Sequence, residues 1–310
     1  LRRCFVVLVQ ASPTRYGHYA RHPRHPPTHE SVMSMFYLLG ALAALLGLPY
    51  LLIHRRESLT SETLAQQFHG QLFPHQYGHS AYYDVGSGPV IVLLHGFGGW
   101  QVTWHALQGI LVARGYRVIG IDALGAGASA RPSTGSAYTT EAQARTIIAL
   151  LAYLRIDTYT VIGHSYGGRI ALQIALYAPA QVTQVIGLAP EVMSTDRPPI
   201  AKLVVIPVIG YALAFWSTAP TLVKYGLRGV SKRPEWVETQ HQHYALSAQV
   251  RGHLAAQISQ SAAAKDGELP VPTHLHDISC PVFLIWGAND PVFPASHGLA
   301  MVERMRNAQI

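Results

Sequence analysis

From residue 81 onward, short uninterrupted apolar runs alternate with stretches whose apolar positions recur at helical spacing. Residues 81–85 predict a short strand, and 89–94 (PVIVLL) a strand buried on both faces, because a run with no polar alternate offers no face to water. Within 101–114, Trp104, Leu107, Ile110 and Leu111 share one helical face, and 116–121 (YRVIGI) is the next buried strand. Thr140 and Gln143 have the spacing of a capping box, opening a helix that carries Ile147, Ile148, Leu151 and Leu154. A strand at 160–162, a helix at 169–177 and strands at 182–188 and 281–286 (PVFLIW) continue the alternation. Such alternation closes a mostly parallel sheet between helices, so the fold class is α/β. The rhythm breaks from 191 to 277, where Pro198, Pro199, Pro207 and Pro220 punctuate short apolar helical segments. That composition predicts an inserted helical lid rather than another strand–helix–strand unit. The expected organisation is a core of residues 81–190 and 278–310, a lid at 191–277 and a polar linker at 54–80, without internal repeats.

Ahead of the linker, residues 35–53 (MFYLLGALAALLGLPYLLI) carry no charge and are followed at once by His54, Arg55 and Arg56. Length and basic flank predict a membrane-spanning helix, the alternatives being a buried core helix or a signal peptide. The signal reading is opposed by the bulky and basic residues that stand where a small-residue cleavage site belongs. Residues 1–34 form a basic His/Pro-rich tail that is expected to be solvated or to precede the natural start. His18, His22, His25 and His29 have helix-like spacing, but Pro23, Pro26 and Pro27 would break the helix a metal site needs, so no metal is expected. With a start at Met33 or Met35, Arg55 and Arg56 place the following domain in the cytoplasm as a single-pass protein, while Arg15, Arg21 and Arg24 in the tail pull the other way.

Composition narrows the classes further. The 310 residues are 49% hydrophobic and 13% charged, which excludes a disordered chain or a coiled coil and leaves room for a large core. Net charge is +7, but seven arginines against two glutamates put +5 of it in the first 58 residues, so no basic face is left for nucleic acid. Cys4 and Cys280 make neither a disulfide framework nor a metal-ligand spacing.

The chemistry concentrates at Gly163-His164-Ser165-Tyr166-Gly167, which follows a predicted strand and opens a predicted helix. A strand entering a helix through so tight a turn holds its serine in a strained backbone with the hydroxyl exposed, and glycines on either side relieve the crowding. The helix N-terminus adds free N–H groups and a positive dipole end that favour an oxyanion. His95-Gly96-Phe97-Gly98-Gly99 directly follows the 89–94 strand and can turn a backbone N–H toward that serine.

With these motifs, the turn 122–129 and Trp286-Gly287-Ala288-Asn289-Asp290-Pro291, the chain from residue 81 onward resembles the α/β-hydrolase fold family, in its serine-nucleophile branch. The resemblance implies Ser165 as nucleophile, the backbone N–H groups of Phe97 and Tyr166 as oxyanion hole, and Asp290 as the acid that fixes the imidazole of the base, with Glu191 as the alternative acid. Gly96, Gly163, Gly167, His95 and His164 would support the loop and the elbow. It implies no cofactor. The family order requires a histidine after Asp290, and His297 falls in an apparent helix at 295–306, too near the acid. Residues 307–310 look like the entry to one more strand, so the base is expected beyond residue 310, leaving this stretch short of activity.

A serine at the elbow argues against haloalkane dehalogenases and epoxide hydrolases of this fold, which use aspartate there. Hydrolysis of an ester or related acyl bond comes first. Carbon–carbon bond hydrolases, acyltransferases and cofactor-free haloperoxidases share the serine arrangement, and a non-catalytic binding protein would keep the fold without the histidine. The lid aromatics Tyr211, Phe215, Trp216, Tyr225 and Trp236 would line a pocket for a hydrophobic small molecule, or simply pack as core.

Overall fold

The apolar runs become the middle strands of a mixed sheet that has eight strands among the described residues. The computed structural model describes residues 29–193, 203, 206–263 and 271–310. The strands are β1 (Gln71–His75), β2 (Gly78–Val85), β3 (Val90–Leu94), β4 (Arg117–Ile121), β5 (Tyr159–His164), β6 (Val182–Leu188), β7 (Val282–Ile285) and β8 (Ala308–Gln309), arranged in the order β1-β2-β4-β3-β5-β6-β7-β8. β1 and β2 are antiparallel to their neighbours and the rest are parallel. Leu94, Gly163, Gly187 and Leu284 pair in one row across β3, β5, β6 and β7, so the loops that leave these strands emerge side by side at one edge of the sheet.

The described residues from 44 onward fold as one unit, and residues 29–43 belong to another. Leu1 to Thr28, with Cys4 and His18, His22 and His25, lie outside the described residues, so the tail expectation falls there too. Helix α1 (His29–Arg56) contains a stretch, Met33–Ile53, that is long and apolar enough to cross a membrane. The expected linker at 54–80 is instead folded: α2 (Ser61–Gln67) buries Leu64 and Ala65, and β1 pairs with β2 as an edge hairpin. Pro74 obscures β1 in the sequence, yet an edge strand tolerates a residue without an N–H.

Around the sheet lie α3 (His105–Ala113), α4 (Thr140–Tyr153), α5 (Tyr166–Tyr177) and α10 (Ala295–Val302). The capping box at Thr140 is corrected by one residue. Thr139, extended at φ −65° and ψ 150°, is the N-cap and accepts from the Ala142 N–H, whereas the Gln143 side chain accepts from the Leu124 N–H and so braces the turn after β4.

Between β6 and β7 the described residues of the insertion form α6 (Pro207–Ser217), α7 (Pro220–Val230), α8 (Pro234–Ser247) and α9 (His253–Ala263). The first three begin on proline, whose missing N–H costs nothing at a helix start. The last turns of α1 dock on this insertion. Pro49 leaves the Leu45 carbonyl without its helical partner, and the Trp216 indole N–H donates to it at 3.0 Å. Tyr50 stacks on Tyr211 at 4.3 Å, and the Arg56 guanidinium donates to the Phe215 and Thr218 carbonyls at the C-terminal end of α6. Glu57 accepts from the Gly252 and Leu254 N–H groups at the start of α9. A cation thus meets the negative end of one helix dipole and an anion the positive end of another.

Candidate active site

One residue turns β5 into α5. His164 ends the strand, Tyr166 opens the helix, and Ser165 between them has φ 52° and ψ −116°, a conformation that costs a side-chain-bearing residue roughly 1–3 kcal/mol. The neighbours hold it there. The Ser165 N–H donates to the Leu188 carbonyl at 2.9 Å, and its own carbonyl accepts from the N–H groups of Arg169 at 3.1 Å and Glu191 at 3.0 Å. The glycines are steric necessities: a Cβ at Gly163 would collide with the Gly167 backbone, one at Gly167 with the carbonyls of Leu94 and His95, and one at Gly168 with Pro190. The first turn of α5 is therefore pressed against β3 and β5. The Tyr166 N–H is one of the helix's initial N–H groups, which have no partner within the helix.

His95, fully buried, supports the facing loop. Its Nε2 accepts from the Ala123 N–H at 3.0 Å, which leaves the proton on Nδ1 to donate to the Gly96 carbonyl at 2.8 Å. Burial pushes this imidazole down to about 4, so it stays neutral and joins the ends of β3 and β4. Gly96 lies against the His164 ring and Gly98, at φ +74°, against Tyr244, so neither position has room or backbone freedom for a larger residue. Phe97 between them is exposed. Trp100 ties the loop to the insertion by donating to the His243 carbonyl at 2.9 Å.

The turn after β4 is built around Asp122. Its carboxylate accepts from Gln101 at 2.7 Å and Ala128 at 2.9 Å, and fills the place a Gly127 side chain would take. Burial raises this carboxyl to about 7. Asp122 lines neither cavity beside Ser165 and serves the turn.

Asp290 stands in the loop after β7, where its Oδ1 accepts from Val292 at 2.8 Å and Phe293 at 2.9 Å. The Trp286 indole pins the same loop through the Phe293 carbonyl at 2.8 Å. Desolvation lowers the His164 imidazole below its ordinary value and Asp290 pulls it back up, which puts the two side chains within electrostatic reach. His297 lies on α10 and lines neither cavity beside Ser165. The helix read at 295–306 ends at Val302, and residues 308–309 pair with β7 as the expected strand entry.

Two cavities meet at Ser165 and share Phe97, Val292 and Phe293. One, of about 300 Å³, has Tyr138, Arg169, Glu191 and Gln260 on its walls. The other, of about 520 Å³, is bounded by Asp290, His164, Leu227, Val230, Trp236 and Tyr244. Of the five lid aromatics, Trp236 alone reaches either cavity. Tyr211, Phe215 and Trp216 pack on the end of α1, and Tyr225 faces out. Arg169 and Gln260 escaped the sequence reading. Arg169 could have been found, since it follows Ser165 by one helical turn, whereas nothing local marks Gln260. Among the described residues no group of three His, Cys, Asp or Glu could hold a metal ion.

Residues 89–208 match the family model for the alpha/beta hydrolase fold. An uncharacterised protein of Mycobacterium tuberculosis is 34% identical over 134 residues, 43% of this chain, and the chain spans only 38% of that relative's length. An epoxide hydrolase of Caballeronia sordidicola is 34% identical over 106 residues, covering 34% of this chain and 32% of the relative. Among solved structures, an esterase from Exiguobacterium antarcticum superposes with a TM-score of 0.65 at 23% identity, covering 77% of this chain and 89% of the esterase.

Proposed function

As a chain with the α/β-hydrolase fold, this protein is, we propose, a membrane-anchored serine hydrolase that cleaves an ester or related acyl bond of a hydrophobic small molecule through an acyl-enzyme. The observation that carries the proposal is Ser165, held in a strained strand-to-helix turn where two cavities meet. An ester has two arms, and a nucleophile between two cavities can seat the acyl arm in one and the alcohol arm in the other. Ser165 Oγ gives its proton to the base as it attacks the carbonyl carbon, and the base passes that proton to the alcohol oxygen as the ester C–O bond breaks and the alcohol leaves. The N–H groups of Phe97 and Tyr166 receive the developing oxyanion, with the α5 dipole behind them. Asp290 orients the base and stabilises its imidazolium. That base is a histidine, which the family's chain order of serine, acid, histidine puts later in the chain than Asp290. A water then repeats the sequence on the acyl-enzyme and returns Ser165.

Epoxide hydrolysis in this fold would need a carboxylate where Ser165 stands, so the sequence similarity to an epoxide hydrolase supports the shared fold rather than that reaction. α1 supports the anchor, and Arg55 and Arg56 at its end support a cytoplasmic catalytic domain. No cofactor and no nucleic acid enter the reading.

The test is covalent labelling of the detergent-solubilised full-length protein with a fluorophosphonate. Label is expected on Ser165. Undiminished labelling of Ser165→Ala would move the nucleophile elsewhere, and no label on any serine would favour a binding protein of the same fold.

A further inference from the structure

α7 faces the wrong way for a helix of a purely soluble domain. Val223 and Leu227 turn inward, while Leu222, Tyr225 and Val230 are 53%, 76% and 62% exposed. Those three residues, with Gly226 and Gly229, follow the spacing i, i+3, i+4, i+7, i+8, so they form one stripe along the helix. A Cβ added at Gly226 or Gly229 would meet no atom within 4 Å, so no described part of the chain covers the stripe. Core packing normally puts such a stripe inside.

The charges beside it suit one kind of partner. Arg228, Lys232 and Arg233 are exposed around the C-terminal end of α7, against the nearby Glu235. Lys224 is already paired with Glu238 at 2.6 Å and does not count. The N-terminal end of α7 adjoins the proposed anchor, since Pro220 and Val223 line one cavity with Arg55 and Arg56. An apolar stripe rimmed by cations, beside the end of an apolar helix, has the chemistry of a helix lying in the headgroup layer.

We infer that α7 lies in the interface of an anionic bilayer, with Leu222, Tyr225 and Val230 toward the acyl chains and Arg228, Lys232 and Arg233 among the phosphates. The inference rests on the anchored reading of α1. It also gives α7 a second role, because Leu227 and Val230 line the cavity at Ser165 and Val230 is at the same time exposed. The helix is then the wall between bilayer and cavity, and Val230 stands at the opening through which an apolar substrate enters from the lipid.

The test uses the full chain reconstituted in vesicles of phosphatidylcholine with a phosphatidylglycerol fraction, carrying a bimane label at Tyr225→Cys or, for comparison, at Tyr153→Cys on α4. Lipids with a quencher on the acyl chain should lower emission about twofold or more at position 225 and leave position 153 unchanged. Leu222→Ser with Val230→Ser should abolish that quenching while the chain still floats with the vesicles after a carbonate wash. Flotation without quenching at 225 overturns the inference and leaves the anchor standing. Loss of flotation sinks the anchor itself. Equal quenching without phosphatidylglycerol overturns the role of the cations. A disulfide-linked dimer that the unlabelled Tyr225→Cys variant forms and the unsubstituted chain does not would make a second copy of the chain the occupant of the stripe.

Discussion

Around Ser165 nearly every unusual residue answers to a neighbour inside the chain, whereas in the insertion several turn away from it. Gly163, Gly167 and Gly168 are small because backbone presses on them, and His95 is neutral because it is buried, with two backbone groups fixing which nitrogen carries its proton. Leu222, Tyr225 and Val230 instead leave more than half of their surface exposed. The contrast separates two kinds of constraint. A residue explained from within protects the fold and the position of Ser165, and a residue that nothing within explains points to something outside: lipid, substrate or both.

The largest effect that could break this contrast belongs to Gly163→Ala. The added methyl meets main chain of α5 rather than a movable side chain, so a loss of about 3 kcal/mol is expected in urea unfolding of the solubilised chain. A neutral result would mean that the elbow is not as tightly packed as its geometry requires. Next comes acid. Below pH 6.5 the unfolded chain binds protons at His95 and His253, which the folded chain takes up only near 4 and 3, whereas Asp122, raised to about 7, is protonated earlier when folded. Two protons favour unfolding and one opposes it. Stability therefore falls as pH drops, with a slope that approaches about 1.4 kcal/mol per unit near pH 5 and a total of about 1.4 kcal/mol between pH 6.5 and 5. Asp122→Asn removes the opposing proton, so among these three groups it should steepen the slope, and a flat profile would contradict the buried neutral histidines.

Smaller effects sharpen the same line. Ser165→Gly relieves the φ of 52° and is expected to raise stability by about 1 kcal/mol while removing the fluorophosphonate label, a gain in one property and a loss in the other that only a strained functional residue gives. Leu222→Ser and Tyr225→Ser should each change stability by less than about 0.5 kcal/mol in detergent, because each side chain is more than half exposed. A large loss there would turn the stripe back into core.

The core was legible in the sequence because its signals are local. A strand buried on both faces must be apolar throughout, and an elbow must place glycines two residues either side of its serine, so 89–94 and the turn at Ser165 could be read directly. What stayed hidden depends on partners distant in sequence. β1 is an edge strand with a proline in it, recognisable through its pairing with β2. Gln143 matched a capping box but braces Leu124, nineteen residues away. The lid aromatics were legible as apolar residues, and periodicity could not tell that three would meet α1, one a cavity and one the exterior.

Arg56 and Glu57 are consecutive, yet each grips a different helix at an opposite pole. Their order is a polarity code. Exchanging them would set a carboxylate against carbonyl oxygens and a guanidinium against amide protons, replacing two attractions by two repulsions with composition and net charge unchanged. The end of α1 behaves as a keyed connector with a single seating, and inserting one residue between the two would rotate one charge away by the turn of a single helical step, about 100°. Whatever moves α1 about its own axis must then move α6 and α9 with it, or unseat both.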